Sequence, residues 1–393
     1  MSTRRLSTLY YLVLLATLSW VTPVLAQAPV ASTATSELAH QDGPREMPLI
    51  AASGDQLLRG DEVFRVFGLQ NLEHAAERAF YVQGTPAQRE SRDARLRLLR
   101  EFGANTLRIH LQLFDFIAGD GLDVLRRQSR AFDNLRYQLD AARREGIYLL
   151  VSGNNVWFPD DVPAWYDALP YRERWEVQAF FFEQLAIVCA ASPAVLGYEL
   201  VSEPVIRRAP DATWYAGELE GYYFVQTIAR GVSRAEAAGV ARDWITRLTA
   251  AIRSHDQKHL VTFGAMGRFH GGALGVRNTA PLLDFLSPHI YPDAGDPGFA
   301  ANVVARYTAA GKPVVVGETH LYRSGERLYR DFLAATVGQV SGYISFFYAR
   351  GEGALAGPAW TPVPAALHMH RLNLEVLRDM REEIIGTATP AGR

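Results

Sequence analysis

Two glutamates stand just beyond strongly apolar runs, Glu203 in Val201-Ser202-Glu203-Pro204 and Glu318 in Val316-Gly317-Glu318-Thr319. Two carboxyl groups facing each other across a cleft are the minimum equipment for hydrolysing a glycosidic bond, because one must donate a proton while the other attacks the sugar or activates water. Taken singly, a glutamate after a strand reads more simply as a helix-capping or ion-paired residue. The runs that precede this pair, Leu196 to Val201 and Pro313 to Val316, have the β-branched, near-continuous hydrophobicity of strands buried on both faces, as in a parallel sheet wrapped by helices. Such folds do their chemistry at the C-terminal ends of the strands.

The scaffold that must hold these groups is legible as alternation. Strands are expected at Phe64–Leu69, Ala104–Ile109, Ile147–Val151, Val195–Val201, Leu260–Phe263, Phe285–Ile290, Pro313–Gly317 and Gly342–Phe347, with a hairpin before the first, across Ile50 to Glu62. Helices are expected at about 87–102, 171–190, 298–310, 324–339 and 366–384. Two more show one apolar face: Phe132, Leu135, Leu139 and Ala142 before a stop at Gly146, and Val240, Trp244, Leu248 and Ile252 at four-residue spacing. Eight strands separated by helices predict an α/β fold closed into a (β/α)8 TIM barrel. An open doubly wound sheet would carry a Gly-rich phosphate loop after its first strand, and Gly68-Leu-Gln-Asn-Leu-Glu-His74 has none.

In a barrel the residues past each strand meet in one cavity. Here they are polar and aromatic: Gln70, Asn71, Glu73 and His74; Arg108 and His110; Asn154, Asn155 and Trp157; Ser202 and Glu203; His270; His289 and Tyr291; Glu318 and His320; Tyr348. Strands 4 and 7 lie on opposite sides of an eight-stranded ring, so their glutamates can point at each other across it.

These segments resemble glycoside hydrolase family 5 and its cellulase-like relatives in clan A. Tyr198-Glu-Leu-Val-Ser-Glu-Pro204 is similar to that family's strand 4 segment, Pro313-Val-Val-Val-Gly-Glu318 to its strand 7 segment, His289-Ile-Tyr291 to its strand 6 His-x-Tyr, and Asn105-Thr-Leu-Arg108 to its strand 2 Asn-x-x-Arg. The four motifs occur in the family's order and cover roughly residues 47 to 385. The resemblance implies a retaining glycoside hydrolase that cleaves β-glycosidic bonds in a glucan, mannan or related oligosaccharide, with Glu203 as acid/base and Glu318 as nucleophile. It implies that Arg108 and Tyr291 hold the nucleophile ionised and that His289 hydrogen-bonds nearby. Asn71, Asn154, Trp157, Ser202 and Tyr348 complete the expected sugar contacts. Three positions depart from the pattern. Ser202 replaces the asparagine before the acid/base, Ser152-Gly-Asn154 replaces the strand 3 histidine, and Phe346 to Tyr348 replace a strand 8 tryptophan. They suggest an outlying member with altered sugar recognition, or the alternative of a carbohydrate-binding barrel that has lost catalysis.

Composition narrows the partners. The 393 residues are 48% hydrophobic and 21% charged, with a formal net charge of -2. No long basic run favours nucleic acid or an anionic membrane, so a β-linked saccharide is the expected partner and a monomer the expected state. Arg4 and Arg5, the apolar Leu9 to Ala16 and the small residues Ala26-Gln-Ala28 have the order of a signal peptide over 1–26, followed by a flexible leader over 27–46 and, at the other end, a tail over 386–393. The expected location is therefore secreted or periplasmic, with no membrane span in the mature chain. The lone Cys189 reads as a buried small hydrophobe. No metal or organic cofactor is expected, since no tight ligand spacing supports a metal-dependent barrel hydrolase.

Competing structural readings attach to several residues. Arg108 also reads as an ion-pair partner for Glu199 or Glu73, and His110, His270 and His320 as packing histidines. Trp165, Trp214, Tyr215, Tyr222, Tyr223 and Trp360 read as loop aromatics, some of them sugar platforms. The excursion from Val205 to Arg242 is expected to be a long loop shaping the cleft, and Gly351 to Gly357 a flexible insertion over it.

Overall fold

Eight parallel strands close into a barrel: β1 (Val66–Asn71), β2 (Thr106–Gln112), β3 (Tyr148–Asn155), β4 (Val195–Ser202), β5 (Leu260–Met266), β6 (Ser287–His289), β7 (Val315–Thr319) and β8 (Gly342–Tyr348), with β8 pairing back onto β1. The computed structural model describes residues 46–71, 74–156, 158–219, 222–348 and 365–386. The signal-peptide and leader segments, Trp157, Trp360, the Gly351 to Gly357 insertion and the tail beyond Gly386 lie outside the described residues.

The strands form where hydrophobicity is continuous, and β2, β3 and β4 are buried along their whole length. β3 runs four residues further than its apolar core suggests, through Ser152-Gly-Asn-Asn155. Polar residues continue the strand because the barrel interior gives them partners, with Ser152 Oγ 2.6 Å from Glu199 Oε1. At Gly264 on β5, an added Cβ would lie 2.6 Å from His289 Nε2 and 3.2 Å from Arg108 Nη2, so the strand has to be bare there for the site to form.

The helices pack their apolar faces on this ring: α1 (Pro86–Phe102), α2 (Ser129–Glu145), α3 (Tyr171–Cys189), α4 (Ala237–Arg253), α5 (Phe299–Thr308), α6 (Gly325–Thr336) and α7 (Ala365–Asp379). α1 starts in a capping box between Thr85 and Gln88 and stops at Gly103, whose φ of 89° only glycine adopts without strain. The expected faces are the buried ones, Phe132, Leu135, Leu139 and Ala142 on α2 and Val240, Trp244, Leu248 and Ile252 on α4. Each large apolar side chain so buried contributes about 1.5–3 kcal/mol. Cys189 is buried and unbridged at the end of α3. No helix among the described residues is long and apolar enough to cross a membrane.

Two elements were not visible in the apolar pattern. A helix, His74–Gln83, fills the β1–α1 connection. The excursion after β4, expected as a long loop, is a small sheet of its own: Pro204–Ile206 pairs with Tyr222–Ala229, which pairs in turn with Tyr215–Leu219. Trp214 explains its rigidity. The guanidinium carbons of Arg174 and Arg230 lie over the indole, 4.0 and 4.2 Å from its ring centroid, and Nε1 donates to the Asp167 carbonyl at 2.9 Å. Trp214 and Tyr215 are thus buried against Val156, which takes them out of the set of sugar platforms.

Candidate active site

Side chains from β1, β2, β4, β6 and β7 meet at the strand ends, and at their centre is Arg108 on β2, fully buried. Its Nη2 reaches Glu199 Oε1 at 2.5 Å and its Nε reaches Oε2 at 3.1 Å. Nη1 donates to Gln70 Oε1 at 2.5 Å and also to Glu318 Oε1. Nη2 lies 3.3 Å from Ser202 Oγ and 3.3 Å from His289 Nε2. One guanidinium thus pairs with Glu199 and with Glu318. Burial opposes its charge, but the two carboxylates more than compensate and keep it protonated.

Glu318 accepts hydrogen bonds from two donors and has the His289 ring close by. Besides Arg108, Tyr291 Oη donates to Oε2 at 2.6 Å, and His289 Nδ1 lies 3.3 Å from the same oxygen. Burial alone would raise its pKa, yet His289, Arg108 and the Tyr291 hydrogen bond outweigh burial and hold the carboxyl below its ordinary range. Burial and the neighbouring carboxylate push Tyr291 well above the usual tyrosine value, so it stays a phenol and a donor.

Glu203 is different. It is the more open of the two, with 13% of its side chain exposed against 6% for Glu318, and it takes a bond of 3.0 Å from His289 Nδ1. Arg108 can only donate, so in the neutral imidazole Nε2 accepts and the proton sits on Nδ1. Neutral or charged, the ring offers Nδ1–H to Glu203 and stands beside Glu318. Glu203, His289 and Glu318 offer atoms that all lie within 4.8 Å of one another. As a metal site the trio would have to give up the Nδ1 proton and seat a cation beside Arg108; the hydrogen bonding fits donor-held carboxylates instead.

Ser202 is buried, and its backbone N–H donates to Asn155 Oδ1 at 3.3 Å. Asn155 in turn donates to the Ser152 carbonyl at 2.9 Å. Asn154 goes elsewhere. Its φ is 60°, in the left-handed region, and its side chain lines a buried cavity of about 10 Å³, room for a single water, with Tyr166, Arg174, Gln178 and Gln226. Both amide atoms are buried there without a protein partner, apart from the glutamate cluster. Asn71 and Tyr348 pair at the ends of β1 and β8, and their side chains lie outside what the structure describes, as does Trp157. His320 bonds His370 on α7 at 3.1 Å and takes the Tyr322 N–H at 3.1 Å, a packing role.

Gln70, expected at the end of the first strand, and Glu199, expected as an ion-pair partner of Arg108, both belong to the cluster. A charge such as Glu199 in the middle of a buried run demands a buried partner.

The fold is a (β/α)8 barrel, and the comparisons bear out the resemblance of the four motifs to glycoside hydrolase family 5. No family model matches the chain. The probable mannan endo-1,4-β-mannosidase A-1 of Aspergillus terreus is 24% identical over 267 residues, covering 58% of this chain and 60% of that protein, so the chain spans less than two thirds of that relative's length. The β-1,4-mannanase of the sea hare Aplysia kurodai superposes with a TM-score of 0.60 at 15% identity, covering 85% of this chain and 97% of that one. GH5_18 from Streptomyces cattleya, solved with Manβ1-4GlcNAc, gives a TM-score of 0.55 at 17% identity over 84% and 83%.

Proposed function

We propose that the chain is an exported, retaining β-glycoside hydrolase that cleaves a β-linked mannan, or a related glucan, with two glutamates and no metal. The observation that carries this reading is the spacing of the carboxyls. Oxygen atoms of Glu203 and Glu318 lie within 4.8 Å of each other, close to the roughly 5–5.5 Å of a retaining pair and short of the roughly 6.5–9.5 Å that an inverting pair needs for an intervening water. The preference for mannan draws on the names of the Aspergillus and Aplysia proteins.

The asymmetry of the two environments supports a division of roles. Glu318, ionised by Arg108 and Tyr291, attacks the anomeric carbon and forms a glycosyl ester as the glycosidic C–O bond breaks. Glu203 gives its proton to the departing oxygen, then takes one from the water that hydrolyses the ester. His289 stays hydrogen-bonded to Glu203 and holds that side chain beside Glu318.

The test is product stereochemistry, followed by NMR during hydrolysis of mannan and cello-oligosaccharides. The β-anomer is expected to appear first and to mutarotate later. An α-anomer appearing first would sink the retaining reading, and turnover unaffected by both Glu203→Ala and Glu318→Ala would sink the residue assignment. Tight sugar binding with no turnover would return the carbohydrate-binding barrel.

A further inference from the structure

We propose that Gln226, on the outer sheet after β4, is a positioning residue that keeps the Glu203 carboxyl aimed into the cleft by clamping its backbone, an inference that rests on the acid/base reading of Glu203. Glu203 has φ of 49°, a left-handed region that a residue with a Cβ enters only under strain. Pro204 follows it, and a residue before proline favours extended backbone. Left alone, this peptide unit would relax toward β geometry, and its Cα–Cβ bond would swing out of the cleft.

Two backbone bonds oppose that relaxation. The Glu203 N–H donates to the Gly264 carbonyl on β5 at 2.9 Å, and the Glu203 carbonyl accepts from the Gln226 N–H at 3.3 Å. The first tie belongs to the barrel, whereas the second depends on where the outer sheet sits. The Gln226 side chain fixes that position. Its Nε2 donates to the Val156 carbonyl just past β3 at 3.2 Å and to the Tyr223 carbonyl at 3.1 Å, in a buried setting. The strand also pairs Gln226 with Pro204 itself. One glutamine thus ties the β3 end, the outer sheet and the strained glutamate together. Its side-chain bonds go to main-chain carbonyls and to neither Glu203 nor Glu318.

The experiment compares kcat/KM, which reports the glycosylation step, for phenyl and 2,4-dinitrophenyl β-mannobiosides. Gln226→Met keeps the length of the side chain and removes its donors. Dinitrophenolate departs without a proton, so misaiming the acid is expected to lower kcat/KM by about ten- to a hundredfold on the phenyl substrate and by less than about twofold on the dinitrophenyl one. A merely structural defect lowers both alike. Equal loss on both substrates, or loss on neither, overturns the proposal. Glu203→Ala runs beside it: if that variant shows no leaving-group dependence, the acid/base reading has failed rather than the clamp. The clamp is then judged from a crystal structure of Gln226→Met, in which a Glu203 φ that remains left-handed overturns it and an extended one upholds it. Should the Met variant fail to fold, Gln226→Asn, which keeps the amide but falls short of Val156, is measured in the same way with the same expectation.

Discussion

The phenol of Tyr291 donates to Glu318 Oε2 at 2.6 Å, and neither group can exchange that role. Tyrosine this buried keeps its proton, and the carboxylate it serves is held below its ordinary range. Tyr291→Phe is therefore expected to raise the Glu318 pKa. Because attack needs the ionised carboxylate, the acid limb of the kcat/KM profile moves to higher pH. A hydrogen bond to a charged group is worth about 1.5–3 kcal/mol, so the plateau rate falls roughly ten- to a hundredfold. An acid limb that stays where it is in the Phe variant refutes the assignment.

The two glutamates differ in what replaces them. Glu203→Ala is expected to lose about 10²–10⁴ in rate on poor leaving groups and to recover with azide, giving a glycosyl azide of retained configuration. Glu318→Ala is expected to lose on the order of 10⁵, with azide giving the inverted product. Identical rescue products from both variants contradict the division of roles.

Arg108 has two buried carboxylates to itself, Glu199 and Glu318. Arg108→Met leaves both without their cation, and a broken buried pair costs about 3–5 kcal/mol. Adding Glu199→Gln is expected to restore part of that stability, since one of the stranded charges is gone. Denaturant unfolding of the single and double variants checks this, and additivity of the two substitutions would show the pair to be uncoupled.

Asn154 tolerates its φ of 60° better than a β-branched residue would. Asn154→Val is expected to destabilise by about 1–3 kcal/mol, while Asn154→Gly stays within about 1 kcal/mol of the parent. Equal melting temperatures for the Val and Gly proteins would argue that the left-handed geometry is absent in solution.

The barrel was readable because a parallel strand covered on both faces must be apolar throughout, and a helix lying on it must be apolar on one side. Val195 to Val201 and the Val240, Trp244, Leu248, Ile252 face carry those requirements openly, and both elements form as expected. The outer sheet was hidden because its side chains are held by cation–aromatic and hydrogen-bond contacts, as at Trp214, that leave no apolar period. Asn154 shows a second limit. Side-chain direction at a strand end follows the local φ, and a single left-handed residue turns its amide toward α3 while Asn155 bonds to Ser202.

The sequence by itself determined the strand and helix alternation, the order of the motifs and the two acidic residues at opposite strand ends, since each follows from local residue type and period. Only the tertiary structure decided how Glu203 and Glu318 differ. Their separation, the two hydrogen-bond donors on Glu318 against the imidazole on Glu203, and the sharing of Arg108 with Glu199 arise from strands far apart in the chain, and such contacts leave no trace in the spacing of residues.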